Sequence, residues 1–102
     1  MDDILNHARK NVLLTTIEWD DKNYILNSSI SFCVIHEGEF FTISYEPLGI
    51  EIFERSLEDA LESFNEEFAM LWKLFAQEND KNLSGDAILL KQTLLNFVSE
   101  VR

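Results

Sequence analysis

Residues 37–68 read EGEFFTISYEPLGIEIFERSLEDALESFNEEF, and this stretch decides the fold. Phe41, Ile43 and Tyr45 alternate with Thr42, Ser44 and Glu46. A repeat of two puts successive side chains on opposite faces, so a half-buried strand is expected here. Glu46-Pro47-Leu48-Gly49 follows as a β-turn. Pro47 fixes φ at the second position, and Gly49 is free to take a positive φ where the chain leaves the turn. Ile50, Ile52 and Phe53 resume an apolar segment short enough to be an edge or closing strand. Ser56 then opens a helix. Its hydroxyl can accept from the free N–H groups of the first turn, and Glu58 and Asp59 suit the positive end of the helix dipole. Leu57, Leu61, Phe64, Phe68, Leu71 and Phe75 recur at spacings of four, three, four, three and four. That is one continuous face of a helix over about 56–77, expected to be core. Ala60 inside the stripe lets the helix lie close to a sheet.

Upstream, Ile30–His36 (ISFCVIH) is apolar on both sides for part of its length, which predicts a central strand. Glu37-Gly38-Glu39 connects it to the next strand, so residues 30–36 and 39–46 form a hairpin. His36, at the strand's end, is expected to be a partly exposed edge residue. Asn11–Trp19 (NVLLTTIEW) reads as a further strand. Asp20–Asn23 is a turn cluster, and Tyr24-Ile25-Leu26 can pair back across it until Asn27-Ser28-Ser29 interrupts the run. Before that, Met1–Lys10 is polar, with Ile4, Leu5 and Ala8 at helical spacing, fitting a short helical turn or a loose arm.

Downstream, Gln77–Leu83 is a polar break, and Ser84 caps a last helix of about 84–101 with Asp86 in its first turn. Ala87, Leu90, Leu94, Phe97 and Val101 form its stripe, and Ile88, Leu89, Leu95 and Val98 widen it. A helix apolar around more than half its girth is either deeply packed or shared with another chain, so these four are the candidate oligomer contacts. The expectation is a single α+β domain over 1–102: a small antiparallel sheet of three to five strands, a long helix packed on it, and a C-terminal helix.

A chain of 102 residues supports one modest core, and an apolar share of 46% with one Pro is that of a folding chain. The single Cys33 excludes an intrachain disulfide. Its place between Phe32 and Val34 predicts a buried, inert thiol, compatible with a reducing cytoplasm. No run approaches the ~18 apolar residues of a membrane span, and Asp2 and Asp3 stand where a signal peptide would be basic. A cytoplasmic protein without membrane contact is expected. Nineteen acidic and eight basic residues leave a net charge of −11. Between Glu37 and Glu67 ten acids face one base, Arg55. That field opposes a phosphate backbone, which argues against direct nucleic-acid binding, and it steers a basic partner toward the surface.

No catalytic signature appears. Glu18, Asp20 and Asp21 are the carboxylates that could hold a metal, but adjacent acids beside Asn23 are typical turn formers. His7, His36 and Cys33 share no metal-ligand spacing. Gly38, Gly49 and Gly85 are isolated and build no phosphate loop. A non-enzyme without metal or cofactor is expected. Trp72 falls at the margin of the helix stripe, and with Trp19 it reads as a packed residue whose indole N–H sits at the rim.

Residues 30–68 resemble the N-terminal domain of HicB-type antitoxins. Those domains run from an aromatic-rich strand through Pro-Asp-Leu-Pro-Gly-Cys, a short strand and a cap into Glu-Glu-Ala and a helix. Here the strand is Phe40–Tyr45, the turn Pro47-Leu48-Gly49-Ile50, the cap Ser56, and Glu58-Asp59-Ala60 follows. The second Pro and the Cys of that pattern are absent, and Glu54-Arg55 stands where Gly-Asp is common. The flanks, residues 1–27 and 72–102, do not resemble the DNA-binding tails of such proteins. The resemblance implies a truncated ribonuclease-H-like arrangement of hairpin, third strand and helix, and an antitoxin or immunity-type role that neutralises a small basic protein. Glu58, Asp59, Glu62 and Glu66 would meet that partner's Lys and Arg side chains, with Phe41, Tyr45 and the Pro47, Leu48 and Gly49 turn supplying shape. The alternative is a homo-oligomeric structural or regulatory module joined through Ile88, Leu89, Leu95 and Val98, with a homodimer as its simplest form. A carboxylate-metal hydrolase built on Glu18, Asp20 and Asp21 ranks third.

Overall fold

A two-residue turn at Asp20-Asp21 folds the first part of the chain back on itself. The computed structural model of the protein describes residues 7–102. β1 (His7–Trp19) and β2 (Lys22–Glu37) pair antiparallel from His7 opposite Glu37 to Trp19 opposite Lys22. Both turn residues take positive φ, 52° and 64°. This geometry matches the right-handed twist of the strands it joins, and Asp is among the few non-glycine residues that adopt it readily. The register slips where Leu14 faces Ile30 but Thr16 faces Ile25, so Leu26–Ser29 bulge out opposite Thr15. Asn27-Ser28-Ser29 therefore bends the strand rather than ending it. Asn27 helps hold the bulge, its Nδ2 donating to the Asn96 carbonyl at 2.9 Å.

β3 (Phe40–Tyr45) returns along the second half of β2 after Gly38, whose φ is 62°. A 3-10 turn at Glu46–Leu48 leads to β4 (Ile50–Glu54). Gly49 takes a φ of 65° and its N–H donates to the Glu46 carbonyl at 3.0 Å, the left-handed exit expected of this turn. A Cβ there would meet nothing within 4 Å, so a substitution is penalised through backbone strain alone. Gly49→Ala is expected to lower stability by about 1 kcal/mol, and Gly49→Asn by less, since Asn tolerates this region. Urea midpoints of the two variants check the order.

The sheet runs β1-β2-β3-β4, and β5 (Val98–Val101) joins the first half of β2. β2 is central, as ISFCVIH predicts, and β4 closes an edge. His36 sits inside this sheet, between Ala8 and Phe41, and stacks on the Phe41 ring at 4.0 Å. Its expected edge position is thus corrected: a strand's end in sequence became the middle of a three-strand ladder.

α1 (Leu57–Leu71) continues as a π-helical turn at Trp72–Ala76, giving the long helix its 20 residues. The Asp59 N–H donates to Ser56 Oγ at 3.0 Å, so the cap forms where the sequence places it. α2 (Gly85–Phe97) is capped by Ser84 in the same way, with the Ala87 N–H at 3.3 Å. Both helices lie on one face of the sheet. Ala60, Phe64 and Phe68 are fully buried against it with Ile17, Ile30 and Ile43. Phe64 packs on Phe32 at 4.6 Å and edge-on to Tyr45 at 6.0 Å, which fixes where α1 crosses the strands. No helix among the described residues is long and apolar enough to cross a membrane.

Three further expectations change. The last helix stops at Phe97, and Val98–Val101 become strand. Leu26 faces Val98, Tyr24 faces Val101, and Asn23 and Arg102 exchange two backbone hydrogen bonds of 2.9 and 2.8 Å. Pairing with an otherwise open edge outweighs one more helical turn, and the branched Val98 suits a strand. Second, Cys33 is half-buried and faces away from the helices, its thiol donating to Asn11 Oδ1 at 2.8 Å. Third, Ala8 belongs to β1, not to a helical turn; Ile4 and Leu5 lie outside the described residues. Among the described residues, no helix covers the face that carries Cys33. Leu13 and Phe53 stand 66% and 64% exposed there. Phe40 stacks on Phe53 at 4.3 Å, with the Arg55 guanidinium 5.2 Å over the Phe40 ring.

Candidate interaction surfaces

Because Leu57, Leu61, Phe64 and Phe68 turn inward, the opposite side of α1 faces water. Glu58, Asp59, Glu62 and Glu66 are all exposed there. Glu58, Glu62 and Glu66 stand one turn apart, an arrangement in which like charges repel by a few tenths of a kcal/mol per pair. No ion pair among the described residues engages them, although Lys22 and Lys73 border the same cleft as Glu66. Arg55 pairs with Glu39 at 3.8 Å, Lys91 with Asp80 at 2.8 Å, and Arg102 with Glu100 at 3.1 Å. The helix is held in place from its other flank, where the Ser63 hydroxyl donates to Glu54 Oε2 at 2.7 Å.

The residues expected to supply shape separate. Pro47 and Gly49 are exposed at the 3-10 turn, which packs against α2. Leu48 is 4% exposed and belongs to the core, so it is withdrawn as a contact residue; the turn points its one large apolar side chain inward. Tyr45 is half-buried between Phe64 and Phe97, and burial raises its phenol above the ordinary value. Phe41 is half-buried on the core side of the sheet, stacked on His36.

The candidate oligomer contacts do not make one face. Val98 is 7% exposed and is core, which corrects its assignment to a shared seam. Ile88 is half-buried. Leu89 and Leu95 are exposed at 62% and 45%, but six residues apart on a helix they point about 120° from each other. Part of the wide apolar girth of α2 is covered within the chain, by the π-helical turn, the 3-10 turn, β2 and β5, while Leu89 and Leu95 stay exposed.

One feature was not legible in the sequence. The second half of α1 crosses the tip of the β1–β2 hairpin, and Asn65 Nδ2 donates to the Glu18 carbonyl there at 3.3 Å. Between them lies a cleft of about 290 Å³, bordered by Trp19, Asp20, Tyr24, Glu66, Met70 and Trp72. A shallower groove of about 580 Å³ continues it past Glu18, Asp21 and Glu62. The hairpin acids and the helix acids therefore share one concave surface, on which five carboxylates outnumber Lys22 and Lys73. Burial first, and the Asp20 charge second, raise the Tyr24 phenol above its ordinary value. No group of three or more His, Cys, Asp or Glu among the described residues is placed to hold a metal ion.

Fold and surface together define a class no narrower than an α+β domain with an acidic helix face and an open sheet face. Compared with models of protein families, with curated proteins and with solved structures, the chain matches none.

Proposed function

We propose that this protein is a non-catalytic interaction module that binds and neutralises a small basic protein, docking it on the exposed side of α1. The exposed file of Glu58, Asp59, Glu62 and Glu66 carries this reading. A run of mutually repelling carboxylates is relieved when a cationic surface covers it, and such a field also accelerates encounter. The resemblance to HicB-type antitoxins supports the same reading, since β2, β3, β4 and α1 follow one another in the order hairpin, strand, helix. The experiment is capture of whatever binds the tagged protein from its native lysate at about 50 and about 500 mM salt, where screening lengths differ roughly three-fold. A basic protein recovered in stoichiometric amount at low salt and lost at high salt is expected. The Glu58→Gln/Glu62→Gln/Glu66→Gln variant should bind it about ten-fold more weakly, at about half a kcal/mol per exposed charge. Equal capture by that variant would sink the docking surface.

A self-associating module is the second reading. The uncovered sheet face favours it, because Leu13 and Phe53 are exposed there with nothing over them among the described residues. Sedimentation of the bait alone at a dimer's mass would move the assignment to this reading.

A further inference from the structure

We propose that the cleft between the β1–β2 hairpin tip and the second half of α1 is a receptor for a guanidinium group, and that the basic partner inserts an arginine side chain there. This rests on the reading above that the partner is basic, and it names the side chain and its seat. The observation that singles out the cleft is Tyr24. The residue is 96% buried by its 4% exposure, with its ring edge-on to Phe68 at 5.7 Å and to Trp72 at 5.9 Å. No described residue bonds its hydroxyl. Yet no buried side-chain oxygen or nitrogen among the described residues lacks a partner. The hydroxyl must then be the part of Tyr24 that solvent still reaches, and the cleft is the opening that Tyr24 borders. A phenol oxygen held on an apolar floor, unbonded and facing a cleft, is a preset acceptor for one N–H donor.

The walls suit a planar cation. Trp19 and Trp72 border the opening, and indole is the best aromatic partner for a cation. Asp20 and Glu66 stand at its rim as charged acceptors. A guanidinium offers five N–H donors in one plane, enough to meet the phenol and both carboxylates while its face lies on an indole. An ammonium would fill the same charge requirement without the flat contact. Lys22 and Lys73 also border the cleft and match Asp20 and Glu66 in number, and Glu18, Asp21 and Glu62 of the adjoining groove leave the joined surface with an excess of three carboxylates. At about 290 Å³ the space admits the end of one side chain and falls at the lower limit for a drug-sized ligand.

The test is titration of N-acetyl-arginine N-methylamide into the full-length ¹⁵N-labelled protein, following the indole N–H signals. There are two tryptophans, so both signals report on the cleft. Saturable shifts of both are expected, and the isosteric, uncharged citrulline derivative should produce none. Tyr24→Phe should weaken binding about five-fold and Glu66→Gln about three-fold, the size of one lost hydrogen bond and one lost exposed charge. Glu66 is exposed and its replacement leaves the fold untouched, so its arm holds even if Tyr24→Phe perturbs the core. Absence of a saturable shift, equal shifts with citrulline, or indifference to both substitutions would overturn the proposal. Saturable shifts with no basic protein captured from lysate would keep the receptor and remove the neutralising role; capture without shifts would do the reverse.

Discussion

Phe64→Ala is expected to lower the unfolding free energy by about 4 kcal/mol, read as a fall in urea midpoint at unchanged slope. Phe64 has no exposure. Its ring is bounded by Phe32 at 4.6 Å, by Tyr45 at 6.0 Å and by the backbone of its own helix, which the fully buried Ala60 keeps close to the sheet. The space left behind cannot close without moving α1 across three strands, so the cavity term adds to the lost transfer energy. Domains of this size hold about 5–15 kcal/mol in all, so this one ring accounts for a large part of the margin. Phe53→Ala is the control. Phe53 is also aromatic, but it is 64% exposed on the uncovered sheet face and touches Phe40 alone among aromatic rings. Its loss should stay under about 1 kcal/mol, the range for surface positions with one ring contact.

Val98→Asp is expected to cost about 3 kcal/mol or more, through an unpaired carboxylate at a buried position. Val98 is 7% exposed where β5 lies on β2 opposite Leu26. Val101→Asp, 40% exposed in the same strand, should have a small effect. The pair also separates two explanations of this segment. A position in a seam between two copies would lose stability in a way that depends on protein concentration. A position inside one chain loses it equally at every concentration, and that is the expected outcome. Thermal unfolding across a hundred-fold range of concentration decides it.

The elements that could be read from sequence are those whose evidence is local. The stripe from Leu57 to Phe75, the Ser56 cap and the Pro47–Gly49 turn each carry their signal in residues only three or four positions apart. The Glu58, Glu62, Glu66 file is legible for the same reason, since its spacing alone puts it opposite the apolar stripe. The C-terminal strand was hidden. Leu90, Leu94, Phe97 and Val101 keep helical spacing to the end, and what overrides it is an edge at Tyr24–Leu26, more than seventy residues away. Cys33 is half-buried rather than buried because Phe32, Cys33, Val34 and Ile35 are apolar in succession, and alternation alone cannot say which of two apolar faces the helices will cover. The cleft was illegible for a related reason. Trp19 and Tyr24 sit on a hairpin, Glu66 and Trp72 on a helix, and only the angle at which α1 crosses the sheet brings them together.

The same long-range pairing sets an order of assembly. Ile25 and Ser99 are joined by a hydrogen bond across 74 positions of chain, whereas β2, β3, β4 and α1 close through neighbours. Near contacts form before distant ones because short loops lose less entropy on closure. During synthesis the first half of β2 therefore waits, its edge unpaired, until Val98–Val101 arrive. Through that interval the chain carries an open strand edge beside Tyr24, the kind of surface that neighbouring nascent chains recruit. The vulnerable interval for this sheet is thus the wait for β5, and whatever shields the hairpin tip then guards the yield.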